Sequence, residues 1–125
     1  MLIRFSLTAA VAALLAAAGP AAAEGDPAAG EKVFKRCSSC HSLAPGENRI
    51  GPTLAGVFGQ KAAQQDFRYS KGMAASGLVW DEETLDAYLA NPRAVVKGTS
   101  MVLRVPKPED RANVIAYLKS NPTED

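Results

Sequence analysis

The chain has 125 residues, with 14 Lys and Arg against 13 Asp and Glu, a formal net charge of +1, and 47% hydrophobic residues. That balance argues against a nucleic-acid binder, and the length suits one small domain, not two. Two cysteines and one histidine leave few side chains able to hold a metal or attack a substrate. The chain opens with a short positive stretch, Met1 to Arg4, followed by the mostly apolar Phe5 to Ala18 and the small-residue run Ala21-Ala22-Ala23. Residues 1–23 therefore read as a cleaved signal peptide. The apolar part is about 14 residues, short of the roughly 20 needed to cross a bilayer. Removal of residues 1–23 leaves 125 − 23 = 102 residues, with 13 basic against 13 acidic side chains, in a domain of residues 24–125 exported to the periplasm.

Asp26-Pro27 predicts a helix start, an N-cap followed by proline where its missing N–H costs nothing. Ala29, Gly30, Val33, Phe34 and Cys37 fall on one helical face, so this helix is expected to deliver the first thiol to the core. Gly30 within it costs about 1 kcal/mol relative to alanine, tolerable if another backbone packs against it.

Next comes Cys37-Ser38-Ser39-Cys40-His41, which holds both cysteines and the only histidine. Cys-x-x-Cys-His is the attachment signature of a c-type haem: two thiols add to the porphyrin vinyl groups, and the adjacent imidazole is placed to reach the iron. A thioredoxin-like dithiol would need a βαβ pattern, and the strand-like alternation is missing on both sides. A structural zinc site lacks a fourth soft ligand. A disulfide accounts for two cysteines in an exported chain but leaves His41 unexplained.

Residues 42–72 contain Pro45-Gly46, Gly51-Pro52, Gly56, Gly59 and Gly72 and read as a long loop. Such a loop suits a small domain if it wraps a large ligand. Asp81 to Ala90 predicts a helix with acids in its first turn, Leu85, Tyr88 and Leu89 inside, and Asn91-Pro92 as its stop. Pro92 opens a short helical turn ended by Gly98. Pro108-Glu109-Asp110 opens a last helix to about Ser120, with Val114, Ile115 and Leu118 on one side and Tyr117 beside them.

This order of features resembles the small class I cytochromes c over essentially the whole mature chain. The matching residues include Gly30, Phe34, Cys37 to His41, Gly51-Pro52-Thr53-Leu54, Tyr69-Ser70, Trp80, Tyr88-Leu89, Asn91-Pro92, Gly98-Thr99-Ser100-Met101 and Ala116-Tyr117-Leu118. The resemblance implies an all-α fold, three main helices plus short helical turns and long loops wrapped around one haem c bound through Cys37 and Cys40. It implies His41 and Met101 as the two axial ligands, and a thioether ligand raises the reduction potential. By the same resemblance Pro52 accepts the other ring N–H of His41, Tyr88 sits near the methionine sulfur, and Tyr69, Trp80 and Thr99 donate to the haem propionates. Gly30, Phe34 and Tyr117 correspond to the contact between first and last helices.

Three departures stand out. Gln60 replaces an arginine that often supports the inner propionate, Met73 replaces a polar residue near the haem, and Leu103 replaces an aromatic at the exposed haem edge. A segment one residue shorter after Met101 resembles bacterial cytochromes c2. The implied function is a soluble, monomeric periplasmic carrier of single electrons, not an enzyme. Its donor would be a quinol:cytochrome c oxidoreductase and its acceptor a terminal oxidase, a periplasmic reductase or a photosynthetic reaction centre. Lys32, Lys35, Arg36, Arg93, Lys97 and Arg104 are candidates for a basic docking rim. A haem-based ligand sensor or a peroxidase-like enzyme would instead need Met101 to leave the iron readily.

Overall fold

In the computed structural model, which describes residues 24–123, Asp26 starts the first helix by accepting the Ala28 N–H at 3.0 Å. Helix α1 spans Pro27–Phe34 and is followed by tight turns that carry the chain through Cys37 to His41. Cys37 thus lies on the turn after α1 and not on the helix itself, because the bonds from Arg36 and Cys37 shorten to the i−3 carbonyls of Val33 and Phe34. The leader expected over residues 1–23 lies outside the described residues.

Helix α2, Lys71–Ala75, was not legible as a helix; Ser70 caps it, its hydroxyl accepting the Met73 N–H at 3.2 Å. Helix α3 spans Glu82–Ala90 and α4 Pro92–Val95, and α5 runs from Pro108 to Lys119. The expected inner faces are inside: Leu85, Tyr88 and Leu89 of α3 and Val114, Ile115 and Leu118 of α5 are all buried. Among the described residues, pairing of extended chain is limited to one isolated antiparallel bridge, Lys61 with Val79.

The first and last helices meet. A Cβ on Gly30 would fall onto the Asn113 carbonyl, and one on Gly25 onto the Ala112 carbonyl, so α1 and α5 touch backbone to backbone. Around that contact the Phe34 and Tyr117 rings pack at 5.5 Å, the Asp26 N–H donates to Asn113 Oδ1 at 2.8 Å, and Arg36 pairs with Asp110 at 3.1 Å.

Residues 42–70 contain no helix, and side chains tie them together. Buried Ser42 donates to the Glu47 carbonyl at 2.7 Å and buried Thr53 to the Ala44 carbonyl at 2.7 Å. Asn48 accepts the Thr53 N–H at 3.0 Å and donates to the Asp66 carbonyl at 2.7 Å. These bonds satisfy backbone groups that have no ladder to join.

Asp81 caps α3, accepting the Thr84 N–H at 2.8 Å, and its hydrogen bonds with the Thr84 backbone and side chain hold its carboxyl below the ordinary value of 3.8. A carboxyl lowered on folding adds stability that is complete above its unfolded pKa and is lost as pH falls through the folded value. Asp81→Ala is therefore expected to melt at a lower temperature than the parent at neutral pH, with the gap closing as the solution is acidified below about pH 4. A gap that persists undiminished in acid would show that the ionised carboxylate is not the cap.

Candidate cofactor site

The helices and the 42–70 loop enclose a cavity of about 390 Å³. That volume lies in the usual range for a small-molecule or cofactor pocket, roughly 300–1,000 Å³. Cys37, Cys40 and His41 line one part of its wall, and the wall also includes Pro52, Leu54, Tyr69, Met73, Trp80, Tyr88, Leu89, Thr99 and Met101. Residues far apart in sequence are thus brought to one space.

His41 Nδ1 lies 2.7 Å from the Pro52 carbonyl. A carbonyl can only accept, so Nδ1 carries the proton and Nε2 keeps its lone pair as a ligand atom. Burial lowers the His41 pKa, partly opposed by the Pro52 bond, so the ring is neutral at neutral pH. Gly51 makes room for this ring, since a Cβ there would collide with His41 Cε1. Cys37 and Cys40 are free thiols, half-buried, and burial raises the Cys37 pKa against the pull of Arg36, with Cys40 adding to the rise.

Opposite chemistry comes from the later half of the chain. Tyr88 Oη and Thr99 Oγ1 are 2.7 Å apart, both residues buried, and the Met101 N–H reaches the same Thr99 oxygen at 3.4 Å. Burial raises the Tyr88 pKa, moderated by the Thr99 bond, so the phenol keeps its proton. Tyr69 accepts the Gln65 N–H at 3.1 Å, which leaves its own hydroxyl proton to donate elsewhere. Trp80 packs its ring 5.0 Å from Tyr88, and its indole N–H meets no protein acceptor among the described residues. Gln60 also lines the cavity, its amide oxygen 3.4 Å from Gln65 Nε2.

Met73 is buried in the core beside the cavity, whereas Met101 is partly exposed. Leu103 is only partly exposed and packs on the core; the bare aliphatic side chains at the cavity are Val102, 65% exposed, and Ile50, 79% exposed. Sequence reasoning passed over both, although a lone apolar residue beside Gly51 in a polar stretch was a usable signal for Ile50. Lys32, Lys35, Arg93, Lys97 and Arg104 are exposed and form no ion pair among the described residues, but Arg36 is paired with Asp110.

A cavity walled by apolar side chains, with two free thiols and a neutral imidazole on one turn, thioether sulfur in the same wall and unpaired Tyr and Trp donors, fits a haem. A sequence model described as cytochrome c matches residues 27–122. The chain belongs to the cytochrome c family. Similar proteins include cytochrome c2 of Rhodomicrobium vannielii, 50% identical over 111 residues that cover 86% of this chain and 89% of the relative. Cytochrome c of Tetrahymena pyriformis is 48% identical over 99 residues, 78% of this chain and 90% of that one. Among solved structures, cytochrome cH from Methylobacterium extorquens superposes with a TM-score of 0.73 at 42% identity, covering 77% of this chain and 99% of its own. Cytochrome c2 from Rhodospirillum centenum gives 0.74 at 39% identity, covering 78% and 98%. The all-α cytochrome c fold, one covalently attached haem c and a role as a monohaem electron carrier follow from membership of this family. This cytochrome has its two cysteines at the required spacing, with the histidine adjacent.

Proposed function

We propose that this cytochrome is a periplasmic electron shuttle whose haem is held by thioethers at Cys37 and Cys40, with His41 and Met101 as axial ligands. The observation that carries the reading is the His41–Pro52 contact on a wall that also presents both thiols and Met101. When bound, the haem would supply a reversible one-electron couple between ferric and ferrous iron.

The protein's own groups do the rest. The Pro52 carbonyl fixes the His41 tautomer and makes its Nε2 more basic. A thioether from Met101 favours the ferrous state and raises the potential. The Tyr88–Thr99 hydroxyl pair holds two protons, one shared between the two oxygens and one left to donate, toward sulfur from Tyr88 or toward a propionate from Thr99. Tyr69 and Trp80 offer further donors to carboxylates taken out of water. With both His41 and Met101 holding the iron, no position would remain there for a substrate, which separates a shuttle from a sensor or peroxidase.

Spectroscopy of periplasmically expressed protein tests the reading. The reduced spectrum in alkaline pyridine is expected to be that of a haem with both vinyl groups saturated, the ferric protein to show a sulfur-to-iron charge-transfer band, and the ferrous protein to resist carbon monoxide. A vinyl-type spectrum removes the two thioethers; rapid carbon monoxide binding removes the closed sixth position.

The donor fits a quinol:cytochrome c oxidoreductase, and the acceptor a terminal oxidase, a periplasmic reductase or a photosynthetic reaction centre. Lys32, Lys35, Arg93, Lys97 and Arg104 steer this cytochrome toward acidic partner surfaces, with Arg36 a weaker contributor because Asp110 already neutralises it. The second-order rate of electron transfer to such a complex is expected to fall about tenfold or more as salt rises from about 0.01 M to about 0.3 M. A flat salt profile removes the steering role.

A further inference from the structure

We propose that Arg111 is a positioning residue for Met101, acting from α5 through the segment that carries the sulfur; the proposal rests on Met101 being an axial ligand. This segment runs from Gly98, three residues past the end of α4, to Pro108 at the start of α5 with no helix or strand of its own. Among the described residues, no main-chain hydrogen bond holds residues 100, 102, 103 or 104, and the Met101 N–H has only the long bond to Thr99. The segment is pinned instead at 105 and 106. The Val105 N–H donates to the Leu89 carbonyl at 2.8 Å, and the Val105 side chain is fully buried.

Arg111 supplies the rest of that pin. Its Nη1 donates to the Val105 and Pro106 carbonyls, both at 3.0 Å, while its Nε donates to Asp86 Oδ1 at 2.7 Å. Its side chain is only 12% exposed, the least of the residues in the cytochrome's four ion pairs among the described residues. One planar group thus joins three elements: α5, the segment bearing Met101, and α3, which also carries Tyr88 and Leu89 on the cavity wall. A lysine cannot reproduce this fork, since its ammonium is a point donor without the fixed spread of a guanidinium. Losing the fork would leave the Val105 carbonyl buried with no partner, and the cheapest relief is for the segment to swing out and hydrate. The sulfur lies four residues from that pin. Arg111 thereby sets how often Met101 leaves the iron without touching either.

The test uses the haem-loaded ferric protein, with free imidazole as a competitor for the methionine position, and amide hydrogen exchange. Arg111→Met is expected to raise the apparent affinity for imidazole by about tenfold or more and to speed exchange of the Val105 amide similarly, while the Leu118 amide in α5 is unchanged. Arg111→Lys is expected to behave like the methionine variant. Equal acceleration at Val105 and Leu118, or full rescue by lysine, overturns the proposal, because either means general stability or bare charge is what Arg111 provides. If Arg111→Met does not accumulate with haem, Asp86→Asn loosens the Nε anchor alone and is expected to raise imidazole affinity about threefold; no change there overturns the proposal. Met101→Ala separates the two readings. A parent protein that takes up imidazole as readily as Met101→Ala overturns the ligand assignment and this proposal together, whereas a response to Met101→Ala without one to Arg111→Met overturns only the role of Arg111.

Discussion

Met101→Ala is expected to abolish the sulfur-to-iron band, let carbon monoxide bind the ferrous protein rapidly and lower the reduction potential. Axial ligands move haem potentials over about 0.8 V, so exchanging a thioether for water should cost on the order of 0.1 V or more. The fold should survive, because Met101 is partly exposed and the neighbouring anchors, Thr99 with Tyr88 and Val105 with Leu89, do not involve its side chain. Met73→Ala is the informative companion. Met73 is 9% exposed and belongs to the core, so truncating it should cost about 2–5 kcal/mol while leaving the band in place. Potentiometry and ferric absorption spectra of the two variants decide between the sulfurs. A band that survives in Met101→Ala and vanishes in Met73→Ala would reverse the assignment.

Gly30→Ala is expected to destabilise the cytochrome strongly even though alanine is the better helix former. Propensity favours the change by about 1 kcal/mol. Against this, the new Cβ would occupy the position of the Asn113 carbonyl and sit 2.8 Å from Tyr117 Cβ. Backbone cannot rotate out of the way as a side chain can, so α1 and α5 must move apart, disturbing the Phe34–Tyr117 contact and the Asp26–Asn113 bond. Overpacking of this kind costs roughly 1–3 kcal/mol or more, and the additional loss of those contacts decides the sign. A net loss of about 2 kcal/mol corresponds to a fall of about 10 °C in melting temperature for a domain of this size. Thermal unfolding of the haem-loaded protein measures it, and an unchanged or raised melting temperature would show that the two helices are not in backbone contact.

Local signals were the readable ones. Asp26-Pro27, Asp81 and Pro108 announce helix starts by chemistry confined to a few residues, and the three main helices begin there. Glycine and proline likewise mark residues 42–72 as loop, which is correct as far as Ser70 and overruns the first two residues of α2. Helix α2 escaped because Gly72 argues against a helix locally; its backbone instead closes on the Lys97 carbonyl, where a Cβ would clash. That neighbour is 25 residues away and invisible to any window along the sequence. The end of α1 was misread for a related reason: Cys37 keeps the helical spacing but sits on a tighter turn. At the site, the residue types were legible because haem chemistry demands them in a fixed motif and the family order supplies the remainder. The exposure of Ile50 and Val102 was not, since it depends on which loops meet at the cavity. Nor was Arg111, whose partner Asp86 lies on another helix and whose two carbonyl acceptors carry no sequence signal.

The contact between α1 and α5 also orders events in time. A chain made from its N-terminus completes α1 first and α5 last, so through nearly all of synthesis α1 has no surface on which to bury Gly30, Val33 and Phe34. A helix of eight residues is too short to persist alone in water. The thiols of Cys37 and Cys40 directly after it therefore stay on open, reachable polypeptide until the final helix arrives. The architecture keeps its attachment point accessible by delaying its own closure.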